Sequence, residues 1–246
     1  MRQALRGVAI AGAMAMLVIG APAKASAQSV DELLAKNYQS RGGLDKLKAI
    51  DSIKVTGHMS ASGSDMAMTT WMKRPYLVRQ EMDVQGRKMI QAFDGTRAWA
   101  VNPMFGSQEP IELPAAQADL MKTGADFDGP LIDYKAKGST LEIAGTETID
   151  GVKAIMLKVT RKSGAPLVLY LDAATGLERK MTTEVEQGGQ KMYIETEMSN
   201  YKPVSGLQMP FSIRQFINGQ LAAQVTIDSM EFNVPMEDSI FKMTGK

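Results

Sequence analysis

Residues 72–103 read MKRPYLVRQEMDVQGRKMIQAFDGTRAWAVNP. The pattern predicts strands over residues 76–84 and 88–93, joined as a hairpin across Gln85-Gly86. Asp94-Gly95 is a second turn signal, and residues 97–101 form a further strand before Asn102-Pro103. Three consecutive antiparallel strands result, and no catalytic motif lies among them. Arg74 stands immediately before Pro75, whose missing N–H cannot join a ladder, so strand pairing is expected to break at that step.

The same pattern extends in both directions. Upstream, residues 53–55 begin a strand, and Met66, Met68 and Met72 alternate with Ala67, Thr69 and Trp71 in the next. Downstream, strands are predicted over residues 139–144, 153–160, 166–172, 177–186 and 190–198. Ile155, Leu157 and Val159 share one face of their strand. Leu167, Leu169 and Leu171 face one way and Val168 and Tyr170 the other, the pattern of a strand covered on both sides. Residues 209–217, Asn218-Gly219 and residues 220–230 form the clearest hairpin. About a dozen strands joined by tight turns imply one meandering antiparallel sheet, which must curl because strands twist. The remaining residues, 232–246, read as a tail that packs Phe241.

Helical spacing is confined to two places. Ser29 with Glu32 three residues later is a capping box, followed by Val30, Leu33, Leu34 and Tyr38 at helical intervals. Gly42-Gly43 breaks that helix, and Leu44, Leu47 and Ile50 share one side of a second, short one. The other place interrupts the sheet: residues 111–123 are expected to be helical, with Pro114 in the first turn, and residues 124–134 to be a loop. An interruption of that length inside a compact domain is usually functional.

Residues 1–27 have the pattern of a secretory leader. Arg2 and Arg6 precede an apolar run over residues 8–19, and Ala25-Ser26-Ala27 is a cleavage pattern, so the cut is expected before Gln28. The run is shorter than the ~20 residues a membrane helix needs. Residues 28–246 then form a single domain. Three of the 28 basic residues (Arg2, Arg6 and Lys24) and none of the 27 acidic ones precede residue 28, so the remainder has a formal charge of −2. A near-neutral domain without a basic block argues against nucleic acid as a partner. There is no cysteine, hence neither a disulfide framework nor a lipid-anchored thiol.

The inventory for catalysis is thin. The chain has one histidine, His58, with no ligand spacing around it. No glycine-rich phosphate loop precedes a helix. Glu195 and Glu197 share a strand face, but their alternation with Ile194, Thr196 and Met198 reads as a solvated outer surface. No cofactor, metal site or enzymatic activity is expected. Methionine is the unusual abundance, with 19 in the chain, and it suits both ordinary core filling and surfaces that adapt to varied apolar ligands.

Lys73-Arg74-Pro75, the Asp94-Gly95 turn, Trp99 and Asn102-Pro103 together resemble the LolA-like periplasmic lipoprotein carriers. Residues 200–213 (NYKPVSGLQMPFSI), the Asn218-Gly219 hairpin, Asn233-Val234-Pro235 to Phe241, and Gly42-Gly43-Leu44 resemble the broader outer-membrane lipoprotein-sorting group. The resemblance implies a mainly β fold: an unclosed antiparallel β-barrel whose concave apolar face is covered by N-terminal and inserted α-helices. It also implies a soluble periplasmic carrier, monomeric, that shields acyl chains of a lipoprotein or lipid during transfer toward the outer membrane. Its partners would be those chains, an inner-membrane transporter and an outer-membrane acceptor. Hiding a ~16-carbon chain from water, at about 0.8 kcal/mol per CH₂, is worth on the order of 12 kcal/mol. Arg74 matches the family's gating arginine, which bonds lid backbone, so its partners are expected to be backbone atoms of residues 111–134. Met66, Met68, Trp71, Trp99, Leu120, Met121, Leu157 and Leu169 are the candidate ligand-lining residues. The longer interruption and the Gly-Gly start depart from the family and leave the cargo open. The alternative reading is an envelope sensor or interaction module on the same fold, binding lipoproteins and a protein partner.

Overall fold

A computed structural model describes residues 29–103, 109–126, 128–162, 167–187 and 189–243. The leader over residues 1–27 lies outside the described residues. The first helix, α1, is Val30–Ser40, and its capping box is complete: the Ser29 hydroxyl accepts from the Glu32 N–H and the Glu32 carboxylate accepts from the Ser29 N–H at 2.8 Å. The break after it depends on glycine. Gly42 sits at φ +110°, and a Cβ there would lie 2.2 Å from the Gly206 carbonyl oxygen, so the chain passes the sheet too closely for any side chain. The second helix, α2, is Leu44–Lys48.

Five strands follow: β1 (Ser52–Ala61), β2 (Ser64–Lys73), β3 (Leu77–Val84), β4 (Arg87–Asp94) and β5 (Ala98–Val101). After the interruption, which holds β6 (Ile111–Glu112) and the helix α3 (Ala115–Gly124), come β7 (Thr140–Ile149), β8 (Val152–Thr160), β9 (Leu167–Asp172) and β10 (Glu178–Gln187). The chain closes with β11 (Gln190–Val204), β12 (Leu207–Ile217), β13 (Gln220–Phe232) and a 3₁₀ turn at Asp238–Phe241. All strands belong to one 13-stranded sheet in the order β6-β5-β4-β3-β2-β1-β13-β12-β11-β10-β9-β8-β7. Every neighbouring pair is antiparallel, and β1 pairs with β13 in the middle. The sheet is not closed. Its two edges are β6 and β7, and the interruption is the connection that runs from one edge to the other.

The predicted helix over residues 111–123 is shorter than expected. Pro114 sits in an extended conformation (ψ 152°) at the N-cap, and helix begins only at Ala115. Proline disfavours helical backbone in the residue before it, so Leu113 stays extended and donates its N–H to the Ala98 carbonyl at 2.8 Å. Ile111 and Glu112 pair with Ala100 and Trp99 as the last strand of the sheet. β11 also runs beyond residue 198, through Asn200 at φ +54° and on to Val204.

Helices cover the inner face in three places. Leu33 and Leu34 of α1 pack with Leu131 of the interruption on Ile155, Leu157, Val159, Leu167, Leu169 and Leu171 of β8 and β9. Leu47 and Ile50, in and just after α2, pack with Ile132 on Leu207, beside Ile53, Met209 and Phe232. Ala118 and Met121 of α3 pack with Ala125 against Phe93, Ala98 and Val78. The tail crosses to the outer face. There Phe241 is fully buried, and its carbonyl accepts from the Trp99 indole N–H at 2.8 Å.

Candidate functional site

Strand register carries one face across the sheet, because directly paired residues point the same way. From β1 outward that face runs Met59↔Met66 in one row and Gly57↔Met68↔Met82↔Met89 in the next. Facing side chains in such rows lie about 4.5–5.5 Å apart at Cβ, close enough for thioethers to touch. Met68 and Met82 are buried; Met59, Met66 and Met89 are half-buried. The Gln80 amide donates to the Met68 sulfur at 3.1 Å. On the other side of the β1–β13 pair the same face continues through Val225, Ile213, Met198, Ile194, Met192 and Met181. Among the described residues, none of Met59, Met66, Met68, Met82 and Met89 packs in the three helix-packed clusters. The inner face thus has a second apolar region, built mainly of methionine.

The predicted lining residues divide among different environments. Met66 and Met68 lie in the methionine region. Leu157 and Leu169 are on the same face but sealed beneath α1, at 0% and 2% exposure. Met121, on α3, packs against Phe93 and Ala98, and the Leu120 side chain lies outside what the structure describes. Trp71 and Trp99 are corrected: Trp71 pairs with Arg79, Arg79 with Ala92 and Ala92 with Trp99, so both indoles point to the outer face. They cannot line one surface with Met66 and Met68. Alternate residues of a strand face opposite ways, so one cavity cannot take the odd and the even positions of β2. On the outer face the Arg79 guanidinium lies 5.5 Å from the Trp99 ring centroid and donates to Glu81 at 2.7 and 2.9 Å. Burial pushes the Glu81 carboxyl up, but hydrogen bonds from Lys88 and Arg79 outweigh it and hold the pKa below the usual range.

Arg74 sits where the break in pairing was expected. β2 ends at Lys73, β3 begins at Leu77, and the Arg74-Pro75 peptide is cis. Its guanidinium donates from Nη1 and Nη2 to the two carboxylate oxygens of Asp128, at 2.5 and 2.7 Å. Nε donates to the Ile50 carbonyl at 2.6 Å and Nη2 to the Leu47 carbonyl at 3.3 Å. Two backbone acceptors come from the end of α2 and the residue just beyond it, Leu47 and Ile50. The interruption contributes the carboxylate of Asp128. An acid fits better than a carbonyl, because a guanidinium fork matches two carboxylate oxygens at once. That hydrogen bonding raises the Arg74 pKa above its ordinary value, against the opposing effect of burial. Asp128 falls in the loop expected over residues 124–134, and an acidic residue in a loop that must return to the sheet is the signal the sequence offers.

Further ties hold the interruption down. The Tyr38 hydroxyl donates to the Leu131 carbonyl at 2.8 Å, and Lys48 reaches Asp133 at 2.8 Å. Burial first, and the nearby Asp133 next, push the Tyr38 hydroxyl up to about 12. Lys137 donates to both Asp126 oxygens and to the Gly129 carbonyl, at 2.6 to 2.7 Å. One arginine thus clamps α2 and the interruption onto the β2–β3 turn, while α1 holds the interruption from the other side.

The acidic pair and the histidine singled out by the sequence lie on the outer face. Glu195 and Glu197 face away from the helices, toward Lys180 at 3.5 Å and Arg214 at 2.5 Å. His58 is half-exposed on the same outer face, between Asp65 and Asp228. Among the described residues no group of three or more His, Cys, Asp or Glu side chains is placed to hold a metal ion. No helix among them is long and apolar enough to cross a membrane.

An unclosed meander with helices on its inner face is the LolA-like fold, and known structures share it. A LolA superfamily protein from Nitrosomonas europaea superposes with a TM-score of 0.57 at 15% identity, over 88% of this chain and 98% of that one. A DUF1329 family protein from Desulfovibrio piger gives 0.61 at 12% identity, over 87% and 97%. A putative outer membrane lipoprotein-sorting protein domain from Vibrio parahaemolyticus gives 0.56 at 12% identity, over 85% and 97%. No family model matches the sequence, and no curated protein matches it. Likeness at these identities establishes the fold.

Proposed function

We propose that this protein is an exported, soluble periplasmic carrier that shields the acyl chains of a lipoprotein or lipid on the way to the outer membrane. The observation that carries the reading is the methionine region, on the inner face of a LolA-like sheet and, among the described residues, outside the helix-packed clusters. Methionine has three rotatable bonds and a polarizable sulfur, so such a lining can follow acyl chains of differing length and kink. Arg74 is the gate: its bonds to Asp128, Leu47 and Ile50 hold the helical cover against the sheet, and opening requires exchanging them for water. Export rests on the leader over residues 1–27, whose removal would leave a chain beginning at Gln28.

Native mass spectrometry of protein purified from the cell envelope, followed by displacement of a fluorescent fatty acid, tests the reading. Co-purifying lipid and saturable displacement are expected. Absence of both co-purifying lipid and displacement would count against a carrier. Capture of a signalling protein with no transport component would favour the sensor alternative.

A further inference from the structure

A cleft of about 460 Å³ opens beside the interruption. Its walls come from three parts of the chain. Lys122 and Asp119 belong to α3, Asp126 and Lys137 to the segment between α3 and β7, and Arg161 and Lys162 to the end of β8. Tyr76, from the β2–β3 turn that also carries Arg74, completes the lining from the far half of the sheet. The cleft therefore lies across the unclosed side of the barrel, with both flanks and the helical cover contributing.

Its charge is unbalanced. Lys137 is committed to Asp126. That leaves Lys122, Arg161 and Lys162 against Asp119, a local excess of positive charge in a domain whose formal charge beyond residue 27 is −2. None of these three cations makes an ion pair among the described residues. Arg161 is the informative one. Arg161 is half-buried at the cleft wall, and burial lowers its pKa while the attraction of Asp126 opposes. With Asp126 already paired to Lys137, holding a charged guanidinium partly out of water is costly unless a further anion arrives to complete it. A guanidinium with flanking ammonium groups is the donor set that phosphate oxygens take, by a planar fork and by point charge.

We propose that this cleft binds the phosphate of an anionic lipid headgroup, with Arg161, Lys162 and Lys122 as its cations, while the acyl chains lie on the methionine region. The inference rests on the carrier reading and narrows its cargo to phosphate-bearing lipid. It also gives the headgroup a mechanical role. A phosphate held between α3 and β8 would touch the cover that Arg74 clamps, so the filled and empty states would differ at the gate.

The test is extraction of fluorescent phosphatidylglycerol from vesicles, run beside extraction of a chain-matched uncharged diacylglycerol, using the full mature chain. Wild type should prefer phosphatidylglycerol, and Arg161→Gln with Lys162→Gln should lose about tenfold of that uptake while keeping diacylglycerol uptake. Lys122→Gln, at an exposed helix position, should lose less but in the same sense, which guards against a misfolded double variant. Equal uptake of the two lipids, or equal loss of both in the variants, overturns the headgroup site and leaves the carrier reading standing. Uptake of neither lipid overturns both. Isothermal titration with inorganic phosphate separates the sources: binding as tight as the lipid's would mark a free-phosphate site and overturn the lipid assignment.

Discussion

The inner face of this sheet holds two apolar surfaces of different character. On β8 and β9, Leu157, Val159, Leu167, Leu169 and Leu171 are 0–2% exposed beneath α1. On β1 to β4, the same face carries Met59, Met66, Met68, Met82 and Met89, three of them half-buried and, among the described residues, none in a helix-packed cluster. Branched chains with few rotamers fix one packing; methionine accepts many. The contrast teaches that one sheet can separate the surface that holds the fold from the surface that adapts. On the proposed function, the first binds the protein's own helix and the second binds cargo.

The largest expected effect breaks the first surface. Leu157→Ala should cost about 3 kcal/mol in urea unfolding, since a buried leucine leaves both lost transfer energy and a cavity. Met66→Ala, at a half-buried position, should cost less than about 1 kcal/mol. Equal losses would mean that the two surfaces are one core. The next effect concerns the clamp between them. In a double-mutant cycle, Arg74→Gln and Asp128→Asn should couple by on the order of 1 kcal/mol, the scale for a bidentate, partly buried pair. Amide exchange over residues 125–138 should speed up in each single variant. Strict additivity would show that the pair does not hold the interruption.

A smaller effect sharpens the second surface. Met59→Gln should weaken fluorescent fatty acid binding about fivefold, the value of withdrawing roughly one buried CH₂ or more from the lining, with little change in stability. The smallest effect is a pH dependence at the α1 contact. The Tyr38 hydroxyl ordinarily titrates at 10.0 and is raised to about 12 in the fold. The folded state therefore holds that proton more tightly, so stability is complete below the unfolded value and falls as pH rises from there through the folded one. Tyr38→Phe should remove that component of the alkaline loss; an unchanged pH profile would show that the Leu131 contact carries none of it.

The sequence disclosed the parts of this molecule that obey short periods. Ser29 and Glu32 announced α1, Gly42-Gly43 its end, and the alternation around Gln85-Gly86 and Asn218-Gly219 the hairpins, because each rests on contacts only a few residues long. Pro114 misled: it was read as a first-turn residue, but its effect on Leu113 kept the chain extended, and Ile111–Glu112 became a strand. The pairing break at Arg74 was legible from Pro75. Asp128 was not, since its approach to Arg74 depends on how the whole interruption crosses from β6 toward β7. Trp71 and Trp99 were misplaced for a related reason. Alternation shows that neighbours in a strand face opposite ways, but only the paired register, fixed by Arg79 and Ala92 between them, shows that the two indoles share the outer face.

Photolabelling with a diazirine fatty acid, mapped by peptide mass spectrometry on the mature chain, tests the separation of the two surfaces most directly. The account predicts labels on β1, β2 and β4, at or beside Met59, Met66 and Met89, competed away by unlabelled fatty acid. Competed labels confined to β8 and β9, or to the outer face around Trp71, would contradict it.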